Sequence, residues 1–207
     1  MKELIQTEEE FVREFFKDQP IGRFLELGAQ DGAPEHPTEP CWNLLVKGWH
    51  GYYCEPNPIS CGQLIRNTWP YRHRTIILNT AVRGTDTLSL FYMDLDHEYS
   101  SASSLHLDWM DKQSFGSVQA PYVINVHSIG FPKLIQCVGC DFDFISVDIE
   151  GSDNEVIDSI DWNVFTNLKL ICTEHPNNNS FDRLAQAGFV PLGITKASNV
   201  FFIKDFG

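Results

Sequence analysis

Arg23-Phe24-Leu25-Glu26-Leu27-Gly28-Ala29-Gln30-Asp31-Gly32 is the stretch that decides the fold. Residues 23–27 form a short, mainly apolar run of the length expected for a buried strand. The run ends in a turn with glycines at positions 28 and 32. Glycine lets the backbone bend tightly and approach a ligand with no Cβ in the way. In open parallel sheets a turn of this kind, at the carboxyl end of the first strand, holds a nucleotide. A dinucleotide site prefers G-x-G-x-x-G, whose middle glycine admits a pyrophosphate. Gln30 stands in that place, so the turn suits a ligand without a pyrophosphate.

The segments on either side repeat the unit. Gly48 closes a helix expected from about residue 38, and GYYCE at 51–55 reads as a second strand. A helix over about 60–67 leads to TIILN at 75–79, a third strand. Alternating strands and helices imply parallel pairing with right-handed crossovers. FDFISVD at 142–148 and LKLICTE at 168–174 are two further strands, followed by helices over about 152–160 and 181–187. Residues 189–194 and 199–203 read as a closing hairpin. Thr7 and Glu10 form a capping box for an opening helix, which Pro20 ends. An added strand at 88–92, an extended piece at 122–126 and a short helix at 131–137 complete the set. Residues 94–120 carry little periodicity, and a loop of that length predicts a lid or a substrate wall. With 207 residues and no repeat or linker, the chain reads as one domain over 1–207, with 1–20 as an N-terminal helix.

Ligands bind at the carboxyl ends of the strands in such a sheet. Glu55 ends strand two, where an acid can accept both hydroxyls of a ribose. Asp148-Ile149-Glu150-Gly151 follows the strand at 142–148. If still extended, Asp148 and Glu150 point to opposite sides. Glu174-His175-Pro176 follows the next strand, where a histidine can act as general base near neutral pH. His175 and Glu150 are the candidate bases. Asp148, Glu174 and His175 alternatively offer ligands to Mg²⁺, but they are too few to assign a metal. His36, His50, His73, His97, His106 and His127 show no metal-ligand spacing; His97 and His106, in the long polar segment, could touch substrate but read as solvated.

The net charge of −13 repels a phosphate backbone and an anionic membrane surface, so neither nucleic acid nor a membrane is an expected partner. The first residues, MKELIQTEEE, lack the apolar core of a signal peptide. No window approaches the roughly 20 apolar residues of a membrane span. A cytoplasmic location is the expectation, with six free thiols. Cys137 and Cys140 form a lone C-x-x-C, read as small hydrophobes because a zinc ribbon needs a second pair.

Taken together, these segments resemble the FkbM-type methyltransferases. The family's first motif, D-x-G-A-N-x-G, is similar to Glu26 through Gly32. Its G-W-x-G stretch leading to E-P-N-P resembles Gly48-Trp49-His50-Gly51 leading to Glu55-Pro56-Asn57-Pro58. Its D-x-E-G matches Asp148 through Gly151, although a further acid expected after the glycine is displaced here to Asp153, behind Ser152. The resemblance spans roughly Phe24 to Ile203. It implies a class I methyltransferase fold: a doubly wound, Rossmann-like α/β three-layer sandwich, mostly parallel, with an antiparallel last strand. It implies S-adenosylmethionine as cofactor and O-methylation of a sugar or a small natural-product-like acceptor. By the same resemblance, Gly28, Ala29 and Gly32 line the methionine part, and Glu55 and Asn57 hold the ribose. Ala81 and Val82 border the adenine, and Glu26 and Asp148 sit near the amino-acid end. Two other functions compete. One is a non-catalytic cofactor-binding module, suggested by Gln30, Ser152 and the prolines at 34, 37 and 40. The other is a nicotinamide-dependent oxidoreductase, against which the missing middle glycine counts.

Overall fold

The alternation of side chains along β1 (Arg23–Leu27) separates two cores. Leu25 and Leu27 pack in one, and Phe24 packs in the other. A computed structural model describes residues 7–32, 40–93, 103–106, 108, 122–194 and 199–205. β1 pairs in parallel with β2 (His50–Cys54) on one side and β7 (Phe144–Val147) on the other. β3 (Thr75–Leu78) extends the first side. β8 (Leu170–Glu174), β10 (Asn199–Lys204) and β9 (Phe189–Ile194) extend the second. The seven-stranded order is β3-β2-β1-β7-β8-β10-β9, with β10 antiparallel to both neighbours. The expected mostly parallel sheet with an antiparallel last strand is therefore found.

Helices cover both faces. α1 (Glu8–Phe15), α2 (Trp42–Lys47) and α3 (Pro58–Thr68) pack with Phe24, Phe144, Leu170 and Phe201. On the other face, α4 (Phe131–Val138), α5 (Asp153–Asp158) and α6 (Asn178–Gln186) pack with Leu25, Ile145, Ile171 and Phe202. The Thr7 hydroxyl accepts the Glu10 N–H at 3.2 Å, which caps α1 as the sequence predicts. The chain runs outward from β1 through β2 to β3, then returns to β7 and runs the other way. The crevice at this reversal, beyond the ends of β1 and β7, is where such sheets bind ligands.

Two features depart from expectation. β4 (Ala81–Arg83), β5 (Thr87–Met93) and β6 (Tyr122–Gly130) make a separate sheet of order β4-β6-β5, with Ala81, Phe91, Met93 and Val126 as its core. A three-residue strand is too short to show a period, so nothing in the sequence marks Ala81-Val82-Arg83 as a strand. Cys137 and Cys140, on either side of the α4 cap Gly139, are exposed, not buried hydrophobes, while the other four cysteines are buried thiols outside any disulfide. Most of the expected lid at 94–120, the residues before 40 in the expected second helix, and Pro34, Pro37, His36 and His97 lie outside the described residues. Among the described residues, no helix is long and apolar enough to cross a membrane.

Candidate active site

The turn after β1 is held by its neighbours on both sides. Gly28 has φ +83°, and a Cβ there would stand 1.7 Å from the carbonyl oxygen of Asp148. Only glycine lets the β1 and β7 ends approach this closely. The Gly28 and Ala29 N–H groups donate to the Cys54 carbonyl at 2.9 and 3.2 Å. The Gln30 N–H donates to Glu55 Oε2 at 2.8 Å, and the Asn57 N–H donates to Glu55 Oε1 at 2.7 Å. Glu55 thus ties the first turn to the second strand end.

Gln30, Glu150 and His175 have φ of +47°, +53° and +42°. Each follows the carboxyl end of a central strand. Left-handed backbone costs a residue with a Cβ about 1–2 kcal/mol. Such strain persists where the surroundings enforce it, commonly at functional sites.

A cleft with about 540 Å³ of empty volume, open to solvent, lies between the two sheets. Gly28, Gln30 and Glu55 line it, together with Asp148, Ile149 and Glu150 from the β7 end. The small sheet contributes Ala81, Val82 and Phe91, and Ser103 and Leu105 complete the wall. A smaller cavity shares Gly28, Gln30 and Asp148 with the cleft and continues to Glu8, Glu26, Ser146, Cys172 and Asn199. No Lys or Arg lines either space among the described residues.

The acids here are held away from water. Burial pushes Glu26 up to about 8, with Asp148 adding to the shift and a Cys41 hydrogen bond opposing it. Burial raises Asp148 to about 6, reinforced by Glu8 and opposed by Asn199. Glu174 rises to about 7 through burial and then through Asp148. Asp153 is raised by burial first and by Asp148 and Glu174 next. Glu55 is pushed up to about 8 by burial, against the two N–H groups that pull it down. Glu26 Oε2, Asp153 Oδ1 and Glu174 Oε2 are buried without hydrogen-bond partners. Buried carboxylates of this kind call for a cation or a proton. A ligand bearing an ammonium, a sulfonium and a ribose fits this donor set.

The structure brings Gly28, Glu55, Ala81, Val82, Asp148 and Glu150 to one cleft and places Glu26 just beyond it. It places the other candidates elsewhere. Ala29 is buried in the core, and the Gly32 N–H closes the turn on the Ala29 carbonyl at 3.1 Å. Asn57 caps α3, its Oδ1 accepting the Ile59 N–H at 2.9 Å, and does not line the cleft. His175 also lies outside the lining, with a half-exposed side chain 3.4 Å from Glu174. Asp148 and Glu150 do not diverge, because β7 ends at Val147 and the left-handed turn at Glu150 returns both to the cleft. His106 is not simply solvated: its Nε2 lies 3.0 Å from the Ser152 hydroxyl. The Ser104 hydroxyl donates to the Glu150 carbonyl at 2.6 Å, and Ser104 bridges to Tyr92. Ser60, Thr80, Phe91 and Leu105 also line the cleft, and nothing local in their sequence marks them; Ser103, which belongs to a serine-rich stretch of sequence, lines it too. Among the described residues, no cluster of three or more His, Cys, Asp or Glu is arranged to hold a metal.

A parallel sheet reversing at β1, a glycine turn against the β7 end and an acid ending β2 define a class I S-adenosylmethionine-dependent methyltransferase. Residues 26–191 match the methyltransferase FkbM domain, and the chain belongs to that family. Its cofactor is S-adenosylmethionine. A similar solved structure is the FkbM methyltransferase from Methylobacillus flagellatus KT, with TM-score 0.56 and 10% identity. That match covers 89% of this chain and 44% of the other, so this chain spans less than half of that relative's length. Magnesium protoporphyrin IX methyltransferase from Synechocystis PCC 6803, solved with bound S-adenosylmethionine, gives TM-score 0.51 at 9% identity, covering 96% of this chain and 78% of that one. No curated protein matches the sequence. Family membership displaces the nicotinamide-dependent reading.

Proposed function

We propose that this domain methylates a hydroxyl oxygen of an uncharged acceptor, of the sugar or small natural-product class, with Glu150 accepting the hydroxyl proton. The observation that carries this reading is Glu150 itself, an acid held in left-handed backbone on the cleft wall beside Asp148. When bound, S-adenosylmethionine supplies an activated methyl group. Glu55 holds the ribose, Ala81 and Val82 flank the adenine, and Gly28 lines the methionine part. Glu26 and Asp148 face the positive charges of the amino-acid end. Phe91, Leu105 and Ile149 shield the reacting atoms from water. The acids of the cleft, with no Lys or Arg beside them among the described residues, disfavour a phosphorylated or otherwise anionic acceptor.

His175 is the second candidate base. Its place outside the cleft lining makes it a positioning residue for the Asn154–Asn177 corner, where the Asn154 amide donates to the His175 carbonyl at 3.3 Å. The test is mass spectrometry of products from neutral glycosides, phenols and sugar phosphates. O-methylated neutral products are expected. N- or C-methylated products, or a preference for the phosphates, overturn the reading. With the best acceptor, Glu150→Gln is expected to lower kcat by about 10²–10⁴-fold, and His175→Ala to change it only a few-fold. The reverse order transfers the base role to His175.

A further inference from the structure

The smaller cavity behind Gly28 is the least expected feature of the molecule. Three acids line it, Glu8, Glu26 and Asp148, and two more, Asp153 and Glu174, interact electrostatically with Asp148 from outside its lining. Glu8 begins α1, Glu26 lies on β1, Asp148 follows β7, Asp153 begins α5, and Glu174 ends β8. Glu8, Glu26 and Asp153 are each under 5% exposed. Asn199 of β10 links part of the set: it is the register partner of Glu174, and its amide donates to Glu8 Oε1 at 3.4 Å. Asn199 is also hydrogen-bonded to Asp148. The other titratable groups here are the Cys172 thiol, the Cys41 thiol bonded to Glu26, and His175 against Glu174. No basic side chain lines the cavity among the described residues. Glu26 Oε2, which lacks a partner, belongs to a side chain that lines it. Burial raises both Glu26 and Asp148, and each carboxylate opposes ionisation of the other, so without a cation beside them this pair favours holding a proton.

Asp148 lines both the cavity and the cofactor cleft. A positive charge entering the cleft therefore acts directly on the acid set. We propose that the cavity is a proton-exchange site coupled to the charge of the cofactor: it releases a proton when the cationic S-adenosylmethionine enters and regains one when the neutral thioether product is formed. Methyl transfer to a hydroxyl forms a C–O bond, breaks an S–C bond and frees the hydroxyl proton. The cofactor loses its positive charge in the same step, which restores the cavity's affinity for a proton. The number of protons is thus balanced within the site. The device also makes the site distinguish donor from product by charge, increasingly so as the pH rises.

This inference rests on the assignment of the cleft to S-adenosylmethionine, and not on the identity of the acceptor. Isothermal titration calorimetry in two buffers of different ionisation enthalpy counts the protons released on binding. The ligands are S-adenosylmethionine, the unreactive amine analogue sinefungin, and S-adenosylhomocysteine. The two cationic ligands are expected to release about one proton more than S-adenosylhomocysteine near neutral pH. Their affinity is expected to gain roughly tenfold more than that of S-adenosylhomocysteine between about pH 6 and 8. Asp153→Asn and Glu26→Gln should each reduce the proton release. Asp153 lines neither the cleft nor the cavity, so its variant keeps the cofactor contacts. Equal proton release for all three ligands, or release unchanged in both variants, overturns the proposal while leaving the cofactor assignment standing. Failure of all three ligands to bind overturns both.

Discussion

The carboxylate of Glu55 accepts the backbone N–H of Gln30 at 2.8 Å, joining the end of the second strand to the turn after the first. The same side chain accepts the Asn57 N–H through its other oxygen, so a single buried acid organises two loops of the cleft. Glu55→Gln replaces one acceptor oxygen with an NH₂ donor facing a backbone N–H. A buried donor left opposing a donor costs about 1–3 kcal/mol. We expect stability to fall by that amount in urea unfolding, and S-adenosylhomocysteine affinity to fall at least tenfold in calorimetry. Unchanged affinity removes Glu55 from the ribose site.

The approach of Gly28 to Asp148 sets a sharper demand. A Cβ at 1.7 Å from a backbone oxygen cannot be relieved by a side-chain rotation. Gly28→Ala is expected to destabilise by more than about 3 kcal/mol, or to open the β1–β7 junction and abolish cofactor binding. Gly139 has φ +86° but no atom within 4 Å of its Cβ position. Gly139→Ala should cost the strain of a φ 86°, ψ 175° backbone that is essentially confined to glycine, about 1–3 kcal/mol, with cofactor affinity unchanged. Gly62 lies inside α3 with equally open space, and Gly62→Ala should stabilise by up to about 1 kcal/mol. Denaturant unfolding of the three variants tests this ranking.

The sequence makes the large sheet legible because its central strands are short, mainly apolar runs followed by a glycine or an acid, as at Gly28, Glu55 and Asp148. Those ends also carry most of the cleft. Two strands of the small sheet are legible at 88–92 and 122–126, but their pairing into a separate sheet is hidden because β4 is three residues long and β6 alternates buried and exposed positions next to a polar stretch. The cleft residues it supplies, such as Phe91, are far in sequence from any motif. Glu150 is misread for a different reason. Two-residue alternation holds only while the strand continues, and φ of +53° breaks it one residue before Gly151. The buried acid set escapes the sequence because Glu8 looks like one of three surface acids at a helix start, yet it is 3% exposed.

Asn57 separates a motif residue's fold role from its ligand role. Its Oδ1 caps α3, accepting the Ile59 N–H at 2.9 Å. Asn57→Ala should cost about 1 kcal/mol, and Asn57→Asp should restore most of it, as read by urea midpoints. If Asn57 serves the cofactor only by capping, S-adenosylhomocysteine affinity follows stability in both variants. A tenfold loss of affinity in a stable Asn57→Asp variant shows direct contact with the ribose.

The raised carboxyl groups set how stability depends on pH. Glu26 and Glu55 rise from 4.5 to about 8, and Asp148 rises from 3.8 to about 6. For a group whose folded value is raised, the contribution is fully present below the unfolded value and lost as pH climbs through the folded one. The cofactor-free protein should therefore melt several degrees lower near pH 8 than near pH 5, each group acting in its own part of that window. Asp86 and Asp161, surface acids with lowered values, act in the opposite sense only in acid. The net charge of −13 adds self-repulsion that also grows with pH. Glu26→Gln separates the two effects, because it removes one buried titration and hardly alters the overall charge. Its melting temperature should exceed that of the parent near pH 8 and approach it near pH 5. A parent curve that is flat or rises with pH, or a variant that runs parallel to the parent, removes Glu26 as a source of the dependence. Thermal melts across this range, with and without S-adenosylmethionine, are the measurement, and the cofactor's stabilising shift should be largest where the acids are ionised.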